Sequence, residues 1–150
     1  MLFRSPRHRG AVATGREVVT LTGHTDRVTS LAFSADGQWL ATAGSDNRIK
    51  LWKVDGWQEQ PLQMGAADKV LAVAFDPDGR TLVSADRHKQ IKLHDLQTGR
   101  LLRTIDNTAN EDVLEAVAIA FSGDARWLAS SVGDKRIGRA SCRERMFITV

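Results

Sequence analysis

Residues 23–54 read GHTDRVTSLAFSADGQWLATAGSDNRIKLWKV, and residues 65–96 read GAADKVLAVAFDPDGRTLVSADRHKQIKLHDL. The two align without a gap at an offset of 42. Gly23 falls on Gly65, Val28 on Val70, Phe33 on Phe75, and Asp36-Gly37 on Asp78-Gly79. Leu40 then falls on Leu82, and Ile49-Lys50-Leu51 on Ile91-Lys92-Leu93. A third copy opens at residues 116–136, AVAIAFSGDARWLASSVGDKR, with Phe121 offset from Phe75 by 46. Four extra residues therefore enter near Asn107–Asp112, a polar connection in which lengthening costs little. Working backwards, Thr14-Gly15-Arg16 falls on Thr98-Gly99-Arg100 two periods later, whereas residues 1–10 lie outside the pattern. A fixed period of this length marks a structural unit that stacks on copies of itself.

Each copy divides into short segments. Val28–Phe33 alternates in character and ends at Ser34-Ala35-Asp36-Gly37, a hairpin turn in which Gly37 can take positive φ. Trp39–Ala43 follows, then a polar turn at Ser45–Arg48, then Ile49–Val54. A weaker fourth strand is expected at Leu62–Met64, with counterparts at Leu101–Ile105 and Glu17–Leu21. Helical spacing occurs only in Val113–Ala120, and its match to Val70–Phe75 favours a strand there. Four short strands per period, with turn residues between them, describe an antiparallel sheet repeated as a unit.

The chain has 150 residues, 42% apolar and 26% charged, which is the composition of a folded soluble chain and not of a disordered one. No apolar run reaches the roughly 18 residues of a membrane span, and the first ten residues lack the apolar stretch of a secretory signal. The single cysteine, Cys142, excludes an internal disulfide and a multi-cysteine metal site. These points lead to the expectation of a cytoplasmic protein. The net charge of +3 hints at a nucleic-acid partner, but its distribution removes the hint. Residues 1–10 hold three Arg and no acid, and residues 137–150 hold three Arg and one Glu. Residues 11–136 hold 15 basic and 17 acidic side chains, so the repeat itself is slightly acidic and has no footprint for phosphate. Neither a nucleic-acid nor a membrane partner is expected.

The repeat resembles the WD-repeat family, whose units each form one four-stranded blade of a β-propeller. The residues that carry the resemblance in copy one are Gly23-His24, Ser34-Ala35-Asp36-Gly37, Ser45-Asp46 and Leu51-Trp52. Copy two is degenerate: Ala66 replaces the histidine, His88 the turn aspartate and His94 the tryptophan. The resemblance covers residues 13–136 and implies an all-β fold, about two and a half antiparallel four-stranded blades of a partial propeller. It divides the chain into a non-matching segment (1–10), the outer strand of a preceding blade (11–22), repeat one (23–64), repeat two (65–106), a partial repeat three (107–136) and a tail (137–150). Residues 137–145, Ile-Gly-Arg-Ala-Ser-Cys-Arg-Glu-Arg, resemble one reading frame of a common sequencing-library adapter, codon for codon. A frame truncated at both ends is the corresponding expectation, since a blade buries its faces against neighbours and open ends would drive self-association.

The resemblance also implies a buried hydrogen-bonded chain in copy one through Trp52, Thr42, His24 and Asp46. Thr42, His24 and Asp46 are equally the residue types of a hydrolytic triad. That reading needs a nucleophile exposed on a sharp turn beside an oxyanion hole, and Thr42 lies mid-strand. His88 and His94, with Asp86 and Asp95 nearby, fit no usual metal-ligand spacing. Neither metal nor cofactor is expected. Trp57 interrupts the turn that copy two forms with Thr98-Gly99-Arg100 and is a candidate exposed anchor. By resemblance, the partner-facing rim comprises Arg27, Thr29 and Ser45 in copy one and Lys69, Leu71 and Arg87 in copy two. Three of these six are basic, which suits an acidic segment of another protein.

The expected function is a non-catalytic scaffold for protein–protein contacts, belonging to a larger multidomain bacterial protein. Two alternatives stand beside it. A propeller enzyme with a central-channel active site would need convergent carboxylates or histidines at the inner-strand starts, where the copies offer Thr29 and Leu71. A regulatory or sensor domain appended to a signalling effector is the other.

Overall fold

The computed structural model describes residues 15, 17–66, 68–106, 116–132, 138–141 and 146–149. They form three four-stranded sheets stacked in chain order. The first contains β1 (Val28–Phe33), β2 (Trp39–Gly44), β3 (Arg48–Lys53) and β4 (Gln58–Gly65), each antiparallel to the next. The second repeats this arrangement with β5 (Val70–Phe75), β6 (Thr81–Asp86), β7 (Gln90–Asp95) and β8 (Leu101–Asp106). The third contains β9 (Ala116–Phe121), β10 (Trp127–Val132), β11 (Gly138–Ser141) and β12 (Met146–Thr149). The expected fourth strand at Leu62–Met64 is longer at its N-terminal side. Pro61 lies within it, on an outer edge where a missing N–H breaks no ladder.

Turn chemistry sets the hairpins. Between β1 and β2, the Ser34 hydroxyl donates to Asp36 and accepts from the Trp39 N–H at 2.9 Å, while Asp36 accepts from the Gln38 N–H at 3.0 Å. Gly37 completes the turn at φ 69° and Gly79 its counterpart at φ 73°, in the left-handed region that glycine enters without a Cβ clash. In the third copy Ala125 holds the same position at φ 57°. The Ser122–Asp124 side-chain bond and the Trp127 N–H on the Ser122 hydroxyl rebuild the turn around it.

Two apolar layers lie between the sheets. Ala41, Ala43, Ile49, Leu51 and Met64 of the first sheet close on Val70, Val73, Phe75 and Leu82 of the second. The far side of the second sheet, with Ala72, Val83, Ala85 and Ile91, closes on Leu128, with Ile119 and Phe121 packed against it. Every residue of β6 is buried because both faces of its sheet are covered. Hydrogen bonds also join the first sheet to the second: the Thr29 hydroxyl is shared between the Ala43 and Val70 carbonyls, and the Val73 N–H donates to the Ser30 hydroxyl at 3.2 Å.

The structure departs from the sequence expectations in two places. Glu17–Leu21, expected as an outer strand, forms none. A β-strand needs a ladder partner, and none of the described residues pairs with it. The third sheet is not wholly antiparallel: the repeat supplies β9 and β10, and β12 then pairs parallel to β10, with Trp127 opposite Met146 and Ser130 opposite Thr149. The tail lacks a counterpart of Ile49-Lys50-Leu51-Trp52. The apolar run Met146–Thr149 takes the place beside β10, and Gly138–Ser141 of low strand propensity is left at the edge. The four-residue insertion near Asn107–Asp112, and residues 1–10, lie outside the described residues. No helix of the described residues is long and apolar enough to cross a membrane.

Candidate interaction rim

The first sheet carries one hydrogen-bonded chain from its outer part to its rim. Trp52 Nε1–H donates to the Thr42 hydroxyl at 3.0 Å, and Thr42 Oγ1 lies 2.9 Å from His24 Nε2. His24 Nδ1 lies 2.9 and 3.1 Å from the two Asp46 oxygens. With the imidazole neutral and its proton on Nδ1, each group has a donor for every acceptor: Trp52 gives to Thr42, Thr42 to His24, and His24 to Asp46. Burial pushes the Asp46 carboxyl up, but the Thr25 N–H, the His24 bond and the Arg48 N–H outweigh it and hold the pKa below the usual value. The four side chains named from the resemblance are thus brought together. Thr42 is buried in mid-strand, without the exposed turn a nucleophile would need.

Gly44 is the floor of this chain. A Cβ there would stand 2.6 Å from Asp46 Oδ1 and 2.7 Å from His24 Nδ1, closer than real contacts approach. Gly44→Ala is therefore expected to push the histidine off its carboxylate and cost about 1–3 kcal/mol, read as a lowered urea midpoint. In a His24→Ala background the same substitution should cost less, because the clash at His24 Nδ1 is gone and only the approach to Asp46 Oδ1 remains.

The second sheet solves the same problem with other residues. At the positions of His24, Gly44, Asp46 and Trp52 it has Ala66, Asp86, His88 and His94. Asp86 is buried and accepts from the Gln90 N–H at 3.0 Å, the equivalent of the Arg48 N–H that Asp46 accepts at 3.2 Å. The carboxylate stands two positions earlier in the repeat, at the counterpart of Gly44, where copy one has no side chain. Its other oxygen accepts from Lys92 Nζ at 3.1 Å. His94 Nε2 lies 3.2 Å from the Ser84 hydroxyl, and burial with the nearby Lys92 charge lowers its pKa to about 4. His88, by contrast, is exposed and pairs with Asp68 at 3.4 Å, while Asp95 accepts from Thr98. Asp86, His88, His94 and Asp95 are each drawn to a different partner. Among the described residues no group of His, Cys, Asp or Glu is placed to hold a metal ion.

Above these networks the loops close in matched pairs. The Ser45 N–H donates to the Arg27 carbonyl at 2.8 Å, and the Arg87 N–H to the Lys69 carbonyl at 2.9 Å. Both bonds tie the loop entering an inner strand to the turn between the next two, so Arg27, Lys69 and Arg87 emerge exposed at one end of the stack. Ser45 and Leu71 are half-buried beside them. Thr29 is also half-buried, and its hydroxyl is already engaged between the sheets. Trp57, at φ 51° after Gly56 at φ 84°, is half-buried in the turn from β3 to β4.

Sequence reasoning missed Lys50, Lys92 and the role of Asp86. A lysine in the middle of an otherwise apolar strand was the available signal, since such a charge must find a partner. Lys50 pairs with Glu59 and lies 5.9 Å from the Trp52 ring centre.

Stacked four-stranded sheets that repeat in sequence, the first of them carrying a Trp–Thr–His–Asp chain, are blades of the β-propeller class. The family model "WD domain, G-beta repeat" matches residues 15–53 and 59–95, together half of the chain. The chain belongs to this WD-repeat family. It is 46% identical over 37 residues to the target of rapamycin complex subunit wat1 of Schizosaccharomyces pombe, covering 25% of this chain and 12% of that protein. A coronin-like protein of Saccharomyces cerevisiae is 44% identical over 43 residues, 29% of this chain and 6% of the relative. The guanine nucleotide-binding protein subunit beta of S. pombe is 40% identical over 43 residues, 29% of this chain and 14% of the relative. The matches thus span a small fraction of each relative's length.

Proposed function

We propose that the chain is a non-catalytic platform for protein–protein contacts, with the Arg27–Lys69–Arg87 rim as the surface for an acidic segment of a partner. The observation that carries this reading is the division of labour between inside and outside. The polar side chains at the centre of the first two sheets, His24, Thr42, Asp46, Ser84, Asp86 and His94, are engaged in internal hydrogen bonds. The exposed loop pairs above them present three cations on a fixed backbone. Relatives whose names place them in a multisubunit complex or a G-protein support the same reading. In this reading the blades are one part of a larger multidomain bacterial protein in the cytoplasm, and the isolated chain self-associates through its open sheet faces.

A fluorescein-labelled Glu-rich peptide, titrated with the full chain and read by anisotropy, tests the rim. Binding should weaken roughly tenfold in the Arg27→Glu/Lys69→Glu/Arg87→Glu variant, about 0.5 kcal/mol for each exposed charge. It should also weaken as salt rises. Binding that ignores the reversal would sink the rim assignment.

A further inference from the structure

Position 57 breaks the pattern of the repeat. Counting by 42, Gly15, Trp57 and Gly99 are equivalent, and all three hold left-handed backbone, at φ 65°, 51° and 70°. Glycine enters that conformation freely, whereas a bulky side chain strains it. The turn in copy one does contain a glycine, but one place earlier: Gly56 takes φ 84° where copy two has Thr98. Thr98 closes its own turn by giving both its N–H and its hydroxyl to Asp95. Lys53 stands at the place of Asp95, so copy one lacks that clasp. The fold of the turn therefore gives no reason for a tryptophan at position 57, and glycine would serve it better.

The turn lies at the end of the stack opposite the Arg27–Lys69–Arg87 rim, beyond the strands and not on a sheet face that a neighbouring sheet would cover. The Val54 N–H donates to the Gln38 carbonyl at 2.9 Å, which joins this turn to the one between β1 and β2. The Leu96 N–H and the Arg80 carbonyl make the same join in copy two at 3.0 Å. The charges of the two joined pairs differ. Copy two has exposed Arg80 and Arg100, and copy one has exposed Gln38 and Gln58 in their places. Asp36 and Asp55 are exposed in the copy-one turns, and the Ser34 hydroxyl and the Gln38 N–H hold the Asp36 carboxyl below the usual carboxylate value. The cation nearest to them in sequence is Lys53, at the end of β3. Trp57 is half-buried, so part of its surface is open to solvent.

We infer that Trp57, with Asp36 and Asp55 of the two joined turns, is a docking point for an arginine-bearing segment of a protein partner, separate from the rim. An indole face attracts a guanidinium, which stacks flat on it and is less strongly hydrated than an ammonium. The carboxylates add a charge complementarity that copy two offsets with Arg80 and Arg100.

A fluorescein-labelled peptide of alternating Arg and Gly, titrated with the full chain and read by anisotropy, tests this site. Binding should weaken about tenfold in Trp57→Gly. It should weaken about fivefold in Gln38→Arg/Gln58→Arg, which gives copy one the cations of copy two. Urea unfolding checks the fold: the Trp57→Gly midpoint should equal or exceed that of the unmodified chain, because glycine suits the left-handed position. The Glu-rich peptide that probes the rim should bind Trp57→Gly as it binds the unmodified chain, so the two sites can fail separately. A lower midpoint for Trp57→Gly would assign the indole to packing and overturn the inference. So would an Arg–Gly peptide that does not bind, or that binds Trp57→Gly as well as the unmodified chain. Loss in Trp57→Gly without loss in Gln38→Arg/Gln58→Arg would mark an apolar contact and overturn the choice of arginine.

Discussion

Asp86→Asn is expected to destabilise the chain by about 3–5 kcal/mol at pH 7, the cost of leaving one member of a buried ion pair without its partner. The side chains of Asp86 and Lys92 are 2% and 10% exposed, so water cannot replace the lost carboxylate charge. Asparagine keeps the volume and can still accept from the Gln90 N–H, so the loss isolates the charge and not the turn. Since a domain's whole stability is about 5–15 kcal/mol, the variant should unfold at markedly lower urea, followed by tryptophan fluorescence. The same lysine position in the first sheet provides the contrast. Lys50 pairs with Glu59, whose side chain is 40% exposed, and Glu59→Gln should cost no more than about 1 kcal/mol. Adding Lys92→Met to Asp86→Asn should recover much of the loss, because it removes the buried ammonium left without its carboxylate. A loss below about 1 kcal/mol for Asp86→Asn alone would show that the pair is solvated and that the carboxylate serves only the turn.

How far the sequence could be read follows from what a repeat contains. The period at 42 residues, the Asp-Gly turns and the alternation of Val28–Phe33 are local, and the strands of the first two sheets follow from them. The residues of the Trp52–Thr42–His24–Asp46 chain could be picked out because each stands at a position the family resemblance marks. Copy two was readable only as loss, a missing histidine, aspartate and tryptophan. That Asp86 supplies the carboxylate from a neighbouring strand position was not legible. It depends on the Gln90 N–H and the Lys92 ammonium converging on that position in the folded sheet, which is a property of packing and not of order along the chain. The hydrogen bonds of Thr29 and Ser30 to the second sheet were hidden for a related reason. A threonine at the start of an inner strand looks like a surface residue until the neighbouring sheet is in place. In the third sheet, periodicity ended at residue 136, and strand propensity alone could not say that Met146–Thr149 would pair parallel with β10.

Mild acid should weaken the second sheet before it weakens the first, and His94 is the reason. Burial, reinforced by the Lys92 charge, lowers its pKa from 6.5 to about 4 in the folded chain. The unfolded chain, with its histidine at the ordinary value, therefore binds a proton between these two limits while the folded chain does not. Stability rises with pH wherever the unfolded state holds more protons, so the contribution is complete above pH 6.5 and is lost as pH falls toward 4. A shift of this size corresponds to about 3 kcal/mol. The structural cause is plain: His94 is 3% exposed, its Nε2 faces the Ser84 hydroxyl, and an added charge there would sit beside the Lys92 ammonium. His24 has a different setting, with the Asp46 carboxylate directly on its Nδ1. Urea unfolding at half-unit steps from pH 7 to pH 4 reads the effect, and His94→Gln separates it from the aspartates. Glutamine can keep a hydrogen bond to Ser84 but takes up no proton in this range. Asp36, Asp46, Asp95 and Asp124, all held below the usual carboxylate value, contribute their own acid loss equally to both chains. The two stability curves should therefore run parallel above pH 6.5 and converge or cross as pH falls, with the slope between 6.5 and 4 flattened in His94→Gln. Curves that stay parallel down to pH 4 would mean that the buried imidazole reaches solvent and takes up its proton without disturbing the sheet.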